Sequence, residues 1–339
     1  MAEEFERLEP ENVAKLAEGI FGMPVERVTA PGGKSRESIR VHFENRSIVA
    51  TQRKYRGRMQ MEAEVLRRLT LEGAPVPKFL HGQDQIFFQE DVGSARLSAA
   101  LNRASDMDAK GLLRRTFQSL QDIREAGEAA KLADIVPGLG GGRDWVAGLV
   151  GTPHSLSKSL RISEPAIAAE DVVDALVVNP TVFLKWDARP GNASIGDNGR
   201  VFWFDWEHCG KRQGMEDYAW LSGDEFFPFG SDLVLEILAE VIPAERQTVD
   251  LRYLGLFITF HIVQRLGLIR RRYDKDGWVD TDKAMRFDKI GVGADLARRL
   301  CKHGQGWADR DALTRPMVAW FQSASDEVDN WKRRIPKKN

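Results

Sequence analysis

Hydrophobic and polar residues follow two different patterns along the chain, and the change comes near Gly93. Before this point, short apolar runs typical of strands alternate with two segments of helical spacing. The predicted strands cover residues 38–43, 47–53, 75–80 and 85–89, and the predicted helices cover residues 10–21 and 59–69. This pattern indicates a small N-terminal lobe rich in β-structure.

After Gly93, long segments with apolar residues three and four positions apart predict helices. These segments cover residues 97–101, 109–126, 164–178, 231–241, 251–272, 283–303 and 312–331. Two short apolar patches, at 181–184 and 200–204, flank a polar loop, and the glycine-rich residues 138–142 predict a flexible loop. The chain is therefore predicted to have an α+β, bilobal fold, with a small lobe at 1–92 and a larger, mainly helical lobe at 93–339.

Composition and charge exclude several classes of protein. The chain has 339 residues, of which 42% are hydrophobic and 29% charged, a composition that is ordinary for a globular enzyme. Its formal net charge of −1 gives no overall electrostatic field that would attract nucleic acid. Cys209 and Cys301 are too few for a disulfide framework and suit a reducing compartment. The most apolar stretch carries Arg252 and Arg265, so it predicts a core helix rather than a membrane span. The N-terminal residues are acidic and lack the apolar core of a signal peptide. We expect a cytoplasmic protein that binds neither nucleic acid nor membrane.

The most informative segment spans residues 185–207, KWDARPGNASIGDNGRVFWFDWE. The turn-forming residues 197–199, Asp-Asn-Gly, predict a hairpin that returns Asp205 to the loop carrying Asp187 and Asn192. A carboxylate and an amide oxygen are ligands that Mg²⁺ prefers, and phosphoryl transfer also needs a carboxylate to orient the attacking hydroxyl. We interpret Asp187 as the catalytic base and Asn192 and Asp205 as metal ligands. The alternative is a surface hairpin with polar turn residues.

This segment resembles the catalytic region of the aminoglycoside phosphotransferase and choline kinase group, which shares the protein-kinase fold. The typical loop of that group is H-G-D-x-x-x-x-N, and residues 185–192 here read KWDARPGN. Asp205 and the two residues after it are similar to the metal-binding I-D-W-E segment, and Asp217 is similar to an aspartate that braces the catalytic loop. The resemblance implies ATP and Mg²⁺ as cofactors and a small-molecule hydroxyl group as acceptor.

Lys185 and Trp186 depart from this pattern, because the group carries His and Gly before its catalytic Asp. One interpretation gives Lys185 a catalytic role as a positive charge near the transferred phosphate. The other leaves it as a solvated lysine.

The resemblance extends upstream of the catalytic loop. Gly32, Gly33 and Ser35 match a short nucleotide loop, in which glycines let backbone N–H groups approach phosphate. Glu90 and Val92 match, by position alone, the hinge whose backbone meets the adenine edge. A Pro-Gly-Gly sequence read alone is more often an ordinary turn.

A phosphate-binding cation is expected on the third strand, ion-paired to a helix glutamate. Arg53 and Glu62 are assigned to this pair by position. A shift of one residue in the strand register would present Gln52 or Lys54 instead, and a solvated strand end beside a charged helix face is the other interpretation.

Two functions remain open from the sequence: a kinase acting on a small hydroxyl compound, and a nucleotide-binding pseudokinase with a regulatory or scaffold role. The sequence specifies neither the acceptor, nor ATP over GTP, nor the oligomeric state. An acidic and aromatic cluster follows Asp205 and suits either an acceptor that is cationic or carries a ring, or the interior of the helical lobe. It comprises Asp217, Trp220, Asp224, Glu225, Phe226 and Phe227.

Overall fold

The structure is a computed structural model that describes residues 9–30, 38–286 and 290–331. Its N-terminal part contains two helices, α1 (Pro10–Phe21) and α2 (Arg56–Leu71), and strands β1 (Arg27–Thr29), β2 (Ser38–His42), β3 (Ser47–Gln52), β4 (Phe79–Gln83) and β5 (Ile86–Glu90). All neighbouring strands pair antiparallel, in the order β1-β2-β3-β5-β4.

Alternation of side chains gives this sheet two apolar faces. On one face, Val41, Ile48 and Phe88 pack against Val13 and other residues of α1 in a separate small core. On the other face, Phe87 joins the main core of the protein. The sheet is therefore held between α1 and the rest of the molecule.

The C-terminal part is mainly helical, and the described elements are α3 (Leu97–Arg103), α4 (Asp106–Ala129), α5 (Arg143–Val150), α6 (Thr152–Leu160), α7 (Ala169–Leu176), β6 (Val182–Leu184), β7 (Ala193–Ile195), β8 (Val201–Trp203), β9 (Gly210–Arg212), α8 (Glu216–Ser222), α9 (Ser231–Val241), α10 (Ala244–Asp276), α11 (Thr281–Arg286), α12 (Ala294–Ala308) and α13 (Met317–Asp326). The α+β prediction, with a small β-rich part followed by a larger helical part, is confirmed.

The long helix α10 forms the centre of the helical part, with buried apolar residues from Leu254 to Ile269. It also buries His261 and Arg265, as the sequence prediction of an interrupted core helix implies. Among the residues that the structure describes, none of the helices combines the length and the apolarity needed to cross a bilayer.

Several predicted elements differ from the observed ones. Helices α5 and α6 were not predicted, because Gly148, Gly151 and Pro153 weaken the helical signal, although proline is compatible with the first turn where Pro153 lies. The helix predicted at 164–178 is shorter, since the residue before Pro165 avoids helical geometry and Ala168, with a non-helical ψ of 82°, precedes the first turn of α7. The helix predicted at 283–303 is two helices, because Gly293 is extended and begins α12.

Residues 91–96 connect the sheet to α3 and also contact the β7–β8 hairpin. The amide of Ile195 donates to the carbonyl of Ala95 at 2.8 Å, and Ser194 Oγ donates to the carbonyl of Val92 at 3.0 Å. These bonds attach the β7–β8 hairpin to the connection between the two parts of the chain. The hairpin ends one residue before Phe204.

Candidate active site

The loop after β6 places Asp187 and Asn192 side by side. A short 3₁₀ helix, Pro190–Asn192, turns the chain back, so that Asn192 Nδ2 donates to Asp187 Oδ2 at 2.8 Å and to the Asp187 carbonyl at 3.0 Å. Because the amide nitrogen is used in this way, the amide oxygen of Asn192 is the atom left to bind another group. Burial raises the pKa of Asp187, against the opposing charges of Arg189 and Lys185.

The second loop follows β8 and carries Asp205. The predicted Asp197–Gly199 turn closes the β7–β8 hairpin, and Gly199 has a φ of 74°, as such turns require. The amide of Phe204 donates to the carbonyl of Asn192 at 3.0 Å, which ties the two loops together. Asn192 and Asp205 therefore line the same cavity.

Three residues of these loops have left-handed backbone geometry. The φ angles of Trp186, Asp187 and Asp205 are 54°, 47° and 64°, a region in which non-glycine residues are uncommon and carry strain. Asp217 on α8 stabilises the first loop, since its carboxylate accepts the backbone amides of Lys185 and Trp186, both at 2.8 Å. This is the bracing arrangement that the sequence resemblance implies for Asp217.

Arg53 joins the sheet to the second loop. It follows β3, where its amide donates to the carbonyl of Gln85, and its guanidinium contacts Glu62 of α2 at 2.7 and 2.9 Å and Asp205 at 2.7 Å. Glu62 also accepts the amide of Trp206 at 3.0 Å. The register thus presents Arg53, and not the residues on either side of it, to Glu62. Burial alone would raise the pKa of Asp205, but the charges of Arg53 and Lys185 lower it.

The position of Lys185 excludes the solvated interpretation made from the sequence, while its catalytic role stays a prediction. Its side chain is fully buried, and Nζ donates to the carbonyls of Asp205 at 2.8 Å and Asp187 at 3.4 Å. The ammonium also lies 5.5 Å from the centre of the Trp206 ring. Lys185 is therefore neither solvated nor directed into the cavity; it holds the strained backbones of the two loops together.

A cavity of about 240 Å³ lies between the sheet and these loops. Arg53, Asn192 and Asp205 line one part of it, and the predicted hinge residues Glu90 and Val92 line another. Gly32, Gly33 and Ser35, which the sequence assigns to the nucleotide loop, lie outside the described residues.

Sequence reasoning missed other residues that line this cavity. Gln89 is buried beside the hinge, Arg96 stacks on the Phe204 ring at 5.2 Å, and Arg40 is ion-paired with Asp91 at 2.7 Å. A signal existed for Gln89, because it is a polar residue at the end of the apolar run of β5. The arginines had no such signal, since an arginine in a loop or near the end of a short strand is usually solvated.

The acidic cluster after Asp205 is packed inside the helical part. Arg189 Nε binds Asp224 at 2.8 Å, Arg265 binds Glu225 at distances of 2.7 to 2.9 Å, and both carboxylates are buried. Phe226 and Phe227 are buried as well, and among the aromatic members of the cluster Trp220 retains partial exposure. The structural interpretation of this cluster is therefore the correct one for its carboxylates and phenylalanines.

The donor set fits a magnesium ion that is held jointly with a nucleotide. Within the described residues, no group of three or more His, Cys, Asp or Glu side chains could hold a metal by itself. Asp205 and Asn192 nevertheless offer a carboxylate and an amide oxygen to one cavity, and Mg²⁺ usually takes few protein ligands and completes its shell with phosphate oxygens and water.

Comparison with known proteins relates this geometry to solved structures. A spectinomycin phosphotransferase in complex with ADP and spectinomycin superposes with a TM-score of 0.56 at 11% identity, over 87% of this chain and 100% of that one. An ADP-bound aminoglycoside phosphotransferase gives 0.53 at 13% identity, over 88% and 99%. A choline/ethanolamine kinase family protein from Mesorhizobium loti gives 0.51 at 17% identity, over 93% and 98%.

No protein-family model matches the chain, and no curated protein matches it either. At identities of 11 to 17%, the structural likeness establishes the fold alone. The chain has the fold of these phosphotransferases and of the choline/ethanolamine kinase family protein.

Proposed function

We propose that this protein is a kinase that transfers the γ-phosphoryl group of a purine nucleoside triphosphate, ATP in our assignment, to a hydroxyl group of a small molecule. One observation carries the proposal: Arg53, Asn192 and Asp205 come from three separate segments and line one cavity, with Asp187 bonded to Asn192. A surface hairpin would by itself bring Asn192 close to Asp205, but it would not account for the ion pair between Asp205 and Arg53, which lies 152 residues away.

Asp187 is proposed to act as the catalytic base. As the acceptor oxygen forms its bond to the γ-phosphorus, Asp187 takes the hydroxyl proton, and the bond to the nucleoside diphosphate breaks. The burial that raises the pKa of Asp187 favours this role, because a carboxylate with a higher pKa is the stronger base. Its hydrogen bond from Asn192 fixes which oxygen faces the acceptor.

Arg53 is proposed to bind the phosphates, in an orientation set by its ion pair with Glu62. Asp205 and Asn192 would hold Mg²⁺, which neutralises the charge that develops on the phosphate oxygens. Lys185 has no contact with the reacting atoms in this proposal and serves as a positioning residue for both loops.

The structure gives no support to the idea that carboxylates of the acidic cluster bind a positively charged acceptor. Asp224 and Glu225 are already neutralised by Arg189 and Arg265, so a cationic acceptor would find no free partner in them. Trp186, adjacent to Asp187, instead contacts the rings of other aromatic residues, including the partly exposed Trp145 at 6.1 Å. In a screen of hydroxyl compounds with matched rings, we expect no advantage for cationic over neutral acceptors.

The two cysteines are free and buried, which suits the cytoplasm as the site of action.

Thermal unfolding with and without ATP and Mg²⁺ tests the nucleotide site. Ligand at 100 times its Kd adds about 2.7 kcal/mol to the free energy of unfolding. With an unfolding entropy of about 2.1 cal/mol/K per residue, this raises Tm by about 4 °C for a chain of this length. We expect that rise to require Mg²⁺ in the wild type and to be lost in Asp205→Asn.

Asp197→Asn is the matched control, because it makes the same change of carboxylate to amide at a residue that is exposed in the hairpin turn. It should keep the full rise. A wild type that does not respond to millimolar ATP and Mg²⁺ would refute the nucleotide site. A wild type that responds, yet transfers no phosphate to any compound in a broad acceptor screen, would favour the pseudokinase instead.

A further inference from the structure

Gln89 is a buried polar residue that the roles described above leave unused. It lies on β5, immediately before the hinge residue Glu90, and its side chain is 5% exposed. It lines the same cavity as Arg53 and Asp205. Its neighbours Phe87 and Phe88 on the strand are fully buried and apolar, so a polar side chain here has a cost unless it finds partners.

Only one half of the Gln89 amide is satisfied by the residues that the structure describes. Nε2 donates to Thr51 Oγ1 at 3.3 Å, and Thr51 Oγ1 is in turn 3.2 Å from Ser38 Oγ. In this arrangement Thr51 accepts from Gln89 Nε2 and can donate to Ser38. The carbonyl oxygen, Oε1, is buried and finds no partner within the described ranges.

We propose that Gln89 reads position 6 of the purine base and selects adenine over 6-oxopurines. This inference rests on the proposed function, because it requires the cavity to bind a nucleotide. Oε1 is a hydrogen-bond acceptor, and the 6-amino group of adenine is a donor. Guanine and hypoxanthine carry an oxygen at the same position, which would leave Oε1 unpaired and facing a second acceptor.

The remainder of the cavity agrees with a base at this end. Val49 and Phe204 supply apolar surface for a planar ring, and Arg53, Asn192 and Asp205 supply the charged and polar groups for phosphates. The base would therefore lie toward Gln89 and Glu90.

The size of the selection follows from the cost of a buried polar atom without a partner. Leaving such an acceptor unsatisfied typically weakens binding about tenfold or more. The nucleoside diphosphates ADP, IDP and GDP test this on the full-length protein without turnover. IDP differs from ADP at position 6 and at N1, which carries a proton in a 6-oxopurine, and it lacks the 2-amino group of GDP. The change in the ADP to IDP ratio between the wild type and a Gln89 variant therefore isolates the contact of interest.

We expect isothermal titration calorimetry in the presence of Mg²⁺ to give a Kd for ADP at least about tenfold lower than for IDP or GDP. Equal affinity, or tighter binding of IDP or GDP, would overturn the inference and leave the proposed function standing. Failure of all three diphosphates to bind at millimolar concentration would overturn both.

Variants of the two bonded residues sharpen the test. Gln89→Met keeps the length of the side chain and removes both polar atoms, so the preference for ADP over IDP should fall at least severalfold, leaving only the part that N1 sets. Thr51→Val removes the acceptor that orients the amide, so IDP and GDP should gain affinity because the amide can turn its Nε2 toward their 6-oxygen. If Gln89→Met does not fold, the wild-type ratio and Thr51→Val carry the test.

Gln118→Met is the matched control, because Gln118 is exposed on α4 and bonds to Asp122. It should leave the ratio unchanged. A Gln89→Met protein that folds and keeps the wild-type ratio would show that position 6 is read by something other than this side chain, and would overturn the inference.

Discussion

Replacing Lys185 by methionine removes a buried ammonium while keeping a side chain of similar length and volume. Lys185 is fully buried, and its Nζ donates to the carbonyls of Asp205 at 2.8 Å and Asp187 at 3.4 Å. These two carbonyls belong to residues with left-handed backbone geometry, so the ammonium holds the loops where they are strained. Because methionine fills nearly the same space, little of the effect should come from a new cavity.

The magnitude can be worked out from these contacts. A hydrogen bond to a charged group contributes about 1.5–3 kcal/mol, and a buried carbonyl left without its donor costs about 1–3 kcal/mol. The contact at 3.4 Å is long and counts for little. We therefore expect Lys185→Met to lower the free energy of unfolding by about 3 kcal/mol. At about 2.1 cal/mol/K of unfolding entropy per residue, this lowers Tm by about 4 °C for the whole chain.

The assay is thermal unfolding without nucleotide, followed by tryptophan fluorescence, together with the Kd for ADP and Mg²⁺. Lys110→Met is the control, because Lys110 is half exposed and pairs with the exposed Glu236 at the surface. The control should unfold as the wild type does, while Lys185→Met should unfold earlier and bind ADP and Mg²⁺ more weakly. If Lys185→Met matches the control in both measurements, the reasoning that Lys185 holds the two loops is refuted.

Three further predictions concern the ion pair, a buried histidine and two glycines. Arg53→Met should lower the free energy of unfolding by about 3–5 kcal/mol in urea, because it leaves Glu62 buried and uncompensated; adding Glu62→Leu should recover much of the loss, and no recovery would contradict this cause. Burial lowers the pKa of His261 to about 3, whereas the unfolded residue titrates near 6.5, so its contribution to stability is present above pH 6.5 and is lost as the pH falls. Between pH 7.5 and 5 we expect the wild type to lose about 2 kcal/mol relative to His261→Asn, and a constant difference in urea titrations would exclude this linkage. Gly304→Ala should destabilise the protein by about 1–3 kcal/mol, because its Cβ would stand 2.4 Å from a phenylalanine ring. Gly255→Ala, on α10 with nothing within 4 Å of the new Cβ, should stabilise it by about 0.5–1 kcal/mol; equal melting temperatures for the two variants would contradict the packing argument.

Local patterns were sufficient for most of the fold. Helix α1 begins and ends at the predicted residues, and the predicted strands at 38–43 and 47–53 each end one residue earlier in the structure. The largest errors were made where glycine and proline weaken the signal, as in α5 and α6, or where a break lies between two helical patterns, as between α11 and α12. Hydrophobic periodicity over ten or more residues indicates that one face of a helix is buried. It does not indicate the exact residue at which the helix ends.

The amino-acid sequence alone was enough to predict that the residues of the candidate catalytic segment lie close together. The spacing of Asp187, Asn192 and Asp205 around an Asp-Asn-Gly turn is a local property, since a hairpin of this length returns the chain to its own start. The order of strand and helix also predicted an ion pair at this place, but the strand register that selects Arg53 over Gln52 and Lys54 is seen only in the structure.

The partners of the remaining polar groups are visible only in the folded protein. The ammonium of Lys185 is held by a carbonyl 20 residues away, Arg265 reaches Glu225 across 40 residues, and Gln89 finds Thr51 across 38. A sequence shows that such groups exist, but their partners depend on which elements pack together. That packing decides whether a buried polar group has a hydrogen-bond partner. For this physical reason, the structural role of Lys185 and the unpaired acceptor of Gln89 become visible only in the folded protein.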